Sequence, residues 1–140
     1  MKYIFLALFL FLFGCAPKDK ESHNPAPSSS LSKVSAEFLA YSIIARDDKL
    51  ILVDISATGS MLPILDSSTI VVCEKYNGKA LRLNDIVVYD RGDKLIIHRI
   101  KELRENSVFI VGDNNKFSDG WIDKKTIKYR VVALFFTNKE

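Results

Sequence analysis

The sequence predicts a mostly β domain, a coiled antiparallel sheet or barrel-like arrangement preceded by one short helix. Three observations carry that expectation. From Lys49 onwards the chain has six short runs rich in Val and Ile, turn signals separate them, and no long helical pattern interrupts them. The length of 140 residues suits one domain, and 48% hydrophobic residues can supply a core. A net charge of +3 with alternating signs and no basic stripe argues against a nucleic-acid partner.

In chain order, Met1-Lys2 precede a nearly unbroken apolar run, Tyr3 to Phe13. That run is short of the roughly 20 apolar residues that span a bilayer. A short positive start, an apolar stretch and small residues describe a secretory signal peptide over residues 1–14. Its end, Leu12-Phe13-Gly14-Cys15, resembles the lipobox of bacterial lipoproteins, which implies cleavage before Cys15 and its acylation. Phe13 departs from the small or β-branched residue usual there. The alternative is an uncleaved signal anchor. Both readings tether the chain to a membrane and place its domain outside the cytoplasm.

Residues 15–33 read as a flexible linker, since Ala16 to Lys33 is rich in Pro, Ser, Lys and Asn. His23, inside it, reads as solvated. Val34 to Arg46 carries apolar residues at Val34, Phe38, Leu39, Tyr41, Ile43 and Ile44, roughly helical spacing with a serine cap near its start. The expectation is a short amphipathic helix whose apolar face packs on the domain; resting on a membrane surface is the alternative. The folded domain is expected over residues 34–140.

The predicted strands are Leu50–Ile55, Thr69–Glu74, Asp85–Asp90, Lys94–Lys101, Ser107–Val111 and Tyr129–Thr137. Between the first two lies Ala57-Thr58-Gly59-Ser60-Met61-Leu62-Pro63. A small-residue turn held between strands can expose a hydroxyl on a rigid base, with Gly59 permitting close approach and Pro63 fixing its own φ. Ser60 is therefore either a candidate nucleophile or part of an ordinary turn. In Lys94–Lys101 the alternation puts Ile96, His98 and Ile100 on one face. His98 is either a core histidine with a hydrogen-bond partner or a general base. Gly112 to Trp121 is a polar loop whose Asp113 and Asp119 either cap turns or hold a histidine in one tautomer. Trp121 and Phe117 read as packing residues that fix Asp119. Cys73, at the end of an apolar strand, reads as a buried inert thiol. No His or Cys cluster has metal-ligand spacing and no glycine-rich phosphate loop occurs, so neither metal nor cofactor is expected.

Serine, histidine and aspartate come in an order that invites comparison. Ser60-Met61-Leu62-Pro63 resembles the Ser-Met-x-Pro motif of type I signal peptidases and related self-cleaving repressor proteases. Asn84-Asp85-Ile86-Val87 resembles their Gly-Asp-Ile-Val segment, with Asn84 in place of the glycine. Ile97-His98-Arg99-Ile100 and Gly112-Asp113-Asn114-Asn115, with Asp119 downstream, are similar to the endoplasmic-reticulum, archaeal and sporulation-type branch, which has His where most bacterial enzymes have Lys. The resemblance covers roughly Asp54 to the end.

It implies Ser60 as nucleophile, His98 as general base, Asp119 as the acid that orients the base, and Asp113 as a further acid in support. The Ser60 amide and the Thr58 hydroxyl are the implied oxyanion donors. Met61, with Pro63 beside it, is the implied lining of shallow substrate pockets. The function implied is a tethered serine endopeptidase acting on an extracytoplasmic protein or peptide, with the substrate strand adding to a sheet edge. The alternative is a catalytically silent lipoprotein that uses the same fold to bind peptides.

Overall fold

The computed structural model describes residues 27–56 and 58–138. The apolar run from Tyr3, Cys15 and His23 lie outside the described residues. Among the described residues no helix is long and apolar enough to cross a membrane.

Helix α1 spans Lys33–Ile44, and Ser32 caps it, its Oγ accepting from the Ser35 amide at 3.1 Å. Just before it, Ser29 Oγ donates to the Phe136 carbonyl and the Asn138 amide donates to the Leu31 carbonyl. The chain ahead of the helix is thus tied to the residues that follow the last strand. The expected packing of α1 does not hold. Ala36 and Ala40 are its buried residues, set against β1 (Leu50–Val53) and β2 (Ile70–Lys75), while Val34, Phe38 and Tyr41 face outward. A helix apolar on every side has two candidate faces, and the alanines allow the closer approach to the sheet.

The expected mostly β domain is what the structure has. After β1 and β2 come β3 (Ile86–Arg91), β4 (Lys94–Leu103), β5 (Ser107–Val111), β6 (Gly120–Asp123) and β7 (Ile127–Phe135). All seven form one antiparallel sheet in the order β1-β2-β7-β3-β4-β5-β6, open at β1 and β6. The final strand runs between β2 and β3, which joins the two halves of the chain.

Both faces of the sheet centre are buried. Alternate residues of β3 enter opposite clusters: Val87 and Tyr89 join Ile100, Val108, Ile110 and Ile127, while Ile86 and Val88 join Met61, Leu65, Val71 and Cys73. This accounts for a continuous apolar run in β3 where a half-exposed strand would alternate. Strand β6 was not expected, because Gly112 to Trp121 reads as a polar loop and Ile122 and Asp123 fall in no predicted strand. Its four residues are held by β5, with the Trp121 ring against Phe109 at 5.5 Å and the Arg104 guanidinium over its face at 3.7 Å. Trp121 thus packs against Phe109 and Arg104, and Phe117, also expected to pack, is 85% exposed.

Candidate active site

Ser60 sits in the turn that follows β1. Gly59 has φ +72°, a left-handed conformation that glycine adopts without steric penalty, and its carbonyl accepts from the Leu62 amide. The Leu62–Pro63 bond is cis. Met61 and Leu65 drive their side chains into the core, and the Leu65 amide closes the turn on the Met61 carbonyl at 3.0 Å. The nucleophile candidate therefore stands on a buried apolar root.

His98 lies in β4 opposite Val87 and is itself buried. The expected alternation is present, since Ile96 and Ile100 pack in the same cluster as Val87 and Tyr89. Asp119 comes from the loop before β6, where its amide bonds to the Ile110 carbonyl at 3.0 Å.

These three side chains meet. His98 Nε2 is 3.0 Å from Ser60 Oγ, and His98 Nδ1 is hydrogen-bonded to Asp119 Oδ2. The carboxylate selects the tautomer with a proton on Nδ1, which leaves the Nε2 lone pair facing the hydroxyl. Asp119 Oδ1 accepts from Arg91 Nη1 at 2.8 Å, so both carboxylate oxygens are engaged. Tyr89 is buried beneath. Burial, reinforced by the nearby Asp119 charge, pushes its phenol well above the ordinary tyrosine value. Its hydroxyl makes no hydrogen bond of normal geometry, although it lies close enough to Asp119 to feel that charge.

Thr58 Oγ1 is 3.2 Å from Ser60 Oγ, and the Ser60 amide donates to it across a long 3.5 Å. Both groups stand beside the serine hydroxyl. They open on a cleft of about 340 Å³ walled by Val53, Ile55, Val88 and Ile97, with Asp54, Arg91 and Leu95 also lining it.

The start of the same acidic loop grips the serine from behind. The Asn114 amide donates to the Ser60 carbonyl at 2.9 Å and its side chain to the Gly59 carbonyl at 3.1 Å. Gly112 is required by this approach. A Cβ there would lie 2.7 Å from the Ser60 carbonyl oxygen and 2.6 Å from Asn115 Nδ2.

Three expected roles are corrected. Asp113 does not reach the serine or the histidine: Arg99 holds it through Nε at 2.7 Å and Nη2 at 2.6 Å. A third Arg99 bond, from Nη1 to the Asn84 carbonyl, ties down a residue with φ +70°, which explains why a glycine suits this position and Asn tolerates it. The Asp113 carboxylate in turn raises the Arg99 pKa above its ordinary value. Met61 is 2% exposed and is not among the residues lining the cleft; its sulfur accepts from the Asp113 amide at 3.4 Å. Pro63 is not among the residues lining the cleft.

Sequence reading missed Arg91, and it quoted Arg99, Gly112 and Asn114 only as pieces of motifs. The one local hint was Asn84 standing where the resembling segment has glycine, a position that signals a left-handed turn beside Asp85.

The family model described as Peptidase S24-like matches residues 23–133, which takes in every site residue above. A comparison with curated proteins found no match.

Proposed function

The chain belongs to the Peptidase S24-like family, and on that premise we propose that it is a serine endopeptidase acting through Ser60, His98 and Asp119. The observation that carries this reading is the 3.0 Å approach of His98 Nε2 to Ser60 Oγ, with Asp119 on the opposite ring nitrogen. In the proposed reaction His98 takes the Ser60 proton as Oγ attacks a peptide carbonyl. Asp119 stays ionised and stabilises the imidazolium that forms. The carbonyl oxygen, now negative, is received by the Ser60 amide and the Thr58 hydroxyl. Each such donor is typically worth about 3 kcal/mol in the transition state. His98 then passes its proton to the leaving amine, and an ester remains on Ser60. Water, deprotonated by His98, splits that ester and restores the hydroxyl.

The substrate in this reading is an extended peptide lying in the cleft, apolar side chains against Val53, Ile55, Val88 and Ile97. The His98-Arg99 and Gly112-Asp113-Asn114-Asn115 boxes favour the signal-peptidase branch that uses histidine as base. The segment Tyr3 to Cys15 supports a membrane-tethered, extracytoplasmic enzyme, lipidated at Cys15.

The test is covalent labelling of the full chain with a peptide-based acylating inhibitor, read by intact mass. One adduct on Ser60 in the wild type, and none in His98→Ala, is the expected result. Equal labelling of both proteins would exclude His98 as the base.

A further inference from the structure

The outward face of α1 is a feature that the proposed chemistry leaves unused. Val34, Phe38 and Tyr41 follow one another at four and three residues, which places them on one side of the helix. They are 75%, 70% and 61% exposed. Ala36 and Ala40 occupy the opposite side and are fully buried against the sheet. Isolated exposed apolar residues are ordinary, but three large ones aligned on one helix form a patch that water does not favour.

We infer that this face of α1 lies in the interfacial layer of the membrane, with Val34, Phe38 and Tyr41 among the lipid headgroups and upper acyl chains. Two observations select lipid over a protein partner. Residues 14–32 alone separate the helix from the apolar run Tyr3 to Phe13, so a chain held by that run keeps α1 close to the bilayer. The patch is one convex helix side bordered by Ser35, Glu37 and Ser42, and its three large side chains fall well short of the roughly 20–30 residues a side of a stable protein interface. Large aromatic side chains, one of them a tyrosine with a polar tip, suit the headgroup level of a bilayer.

The placement fixes how the cleft is presented. Val53 and Asp54 line both the active-site cleft and the crevice between α1 and the sheet, where Lys33, Glu37 and Tyr41 form the helix side. One segment of chain thus separates the bilayer-facing helix from the reactive serine. The inference rests on the tethered part of the proposed function and not on its catalytic part.

The test uses the full-length chain reconstituted in phosphatidylcholine vesicles, with a nitroxide at Phe38→Cys, at Tyr41→Cys, or at Lys101→Cys on the exposed side of β4. Collision rates with oxygen, which concentrates in lipid, are compared with those of a water-soluble nickel complex. The ratio of oxygen to nickel collisions is expected to be at least about threefold higher at positions 38 and 41 than at 101. Equal ratios at all three would overturn the inference, because α1 would then face water. Shielding of 38 and 41 from both reagents would also overturn it, showing cover by protein: the Tyr3–Phe13 run or a second copy. Ser60 acylation measured on the unlabelled chain in the same vesicles separates the two readings. Acylation with an aqueous Phe38 sinks the interfacial helix alone, and a lipid-facing Phe38 without acylation sinks the catalytic reading alone.

Discussion

The Asn114 amide donates to the Ser60 carbonyl at 2.9 Å, so the turn bearing the serine and the loop bearing Asp119 are one hydrogen-bonded unit. Nothing in the chain order announces this, since the two residues lie far apart in sequence. Their contact fixes the nucleophile from the backbone side, while His98 meets it from the side-chain side.

Removing the hydroxyl isolates the chemistry from the fold. Ser60→Ala is expected to lower peptide cleavage by about 10⁴-fold or more while thermal unfolding stays within a few degrees of the wild type. Retention of full cleavage would exclude Ser60 as nucleophile.

Asp119→Asn keeps the size of the side chain and removes the charge that selects the histidine tautomer. A loss of about 10⁴-fold in kcat, with KM little changed, is the expected signature of a group that acts through His98. Arg91→Gln, which leaves the carboxylate in place but takes away its second partner, should cost about tenfold. Parallel kinetics on the two variants check the order.

Gly112→Ala tests the backbone approach. The added methyl must displace the Ser60 carbonyl or the Asn115 amide, and overpacking of this kind costs about 1–3 kcal/mol. Chemical denaturation reads that loss, and acylation of Ser60 should slow at the same time because its turn has shifted.

Arg99 and Asp113 form a largely buried pair, so removing one partner leaves a charge without compensation. Arg99→Met is expected to destabilise by about 2–3 kcal/mol. The double variant Arg99→Met with Asp113→Leu should recover much of that loss, which a double-mutant cycle by urea unfolding would measure.

The pH dependence of stability has a definite sign. Burial pushes the Cys73 thiol from 9.0 up to about 12, and the Tyr89 phenol is also raised. A raised folded value means the stabilisation is complete below pH 9, where the unfolded thiol is still neutral. It is then lost as pH climbs towards 12, by up to about 1.4 kcal/mol per pH unit for each group. Cys73→Val should flatten the first part of that decline in urea titrations between pH 8 and 11.

Much of this was legible in the residues. Each of the six expected strands has its counterpart, because their Val- and Ile-rich runs are bounded by Asp, Asn and Gly turns. The meeting of Ser60, His98 and Asp119 also matches what their motifs implied. What escaped depends on distant partners. Strand β6 exists because β5 offers it a ladder, and Asp113 turned to Arg99 because the β4 strand brings that guanidinium alongside. The face of α1 was not readable, since Val34, Ala36, Phe38, Leu39, Ala40 and Tyr41 leave few polar positions to mark the solvent side.

Strand β4 is flanked by β3 and β5, so His98 is the one member of the trio carried by the middle of the sheet. Ser60 and Asp119 arrive on connecting segments, 58–65 and 112–119, that are fastened to each other. Inheritance can therefore treat the base as a constant and the other two as a cassette. Descendants of this sequence have two short stretches in which to vary reactivity while the sheet beneath is left as it stands.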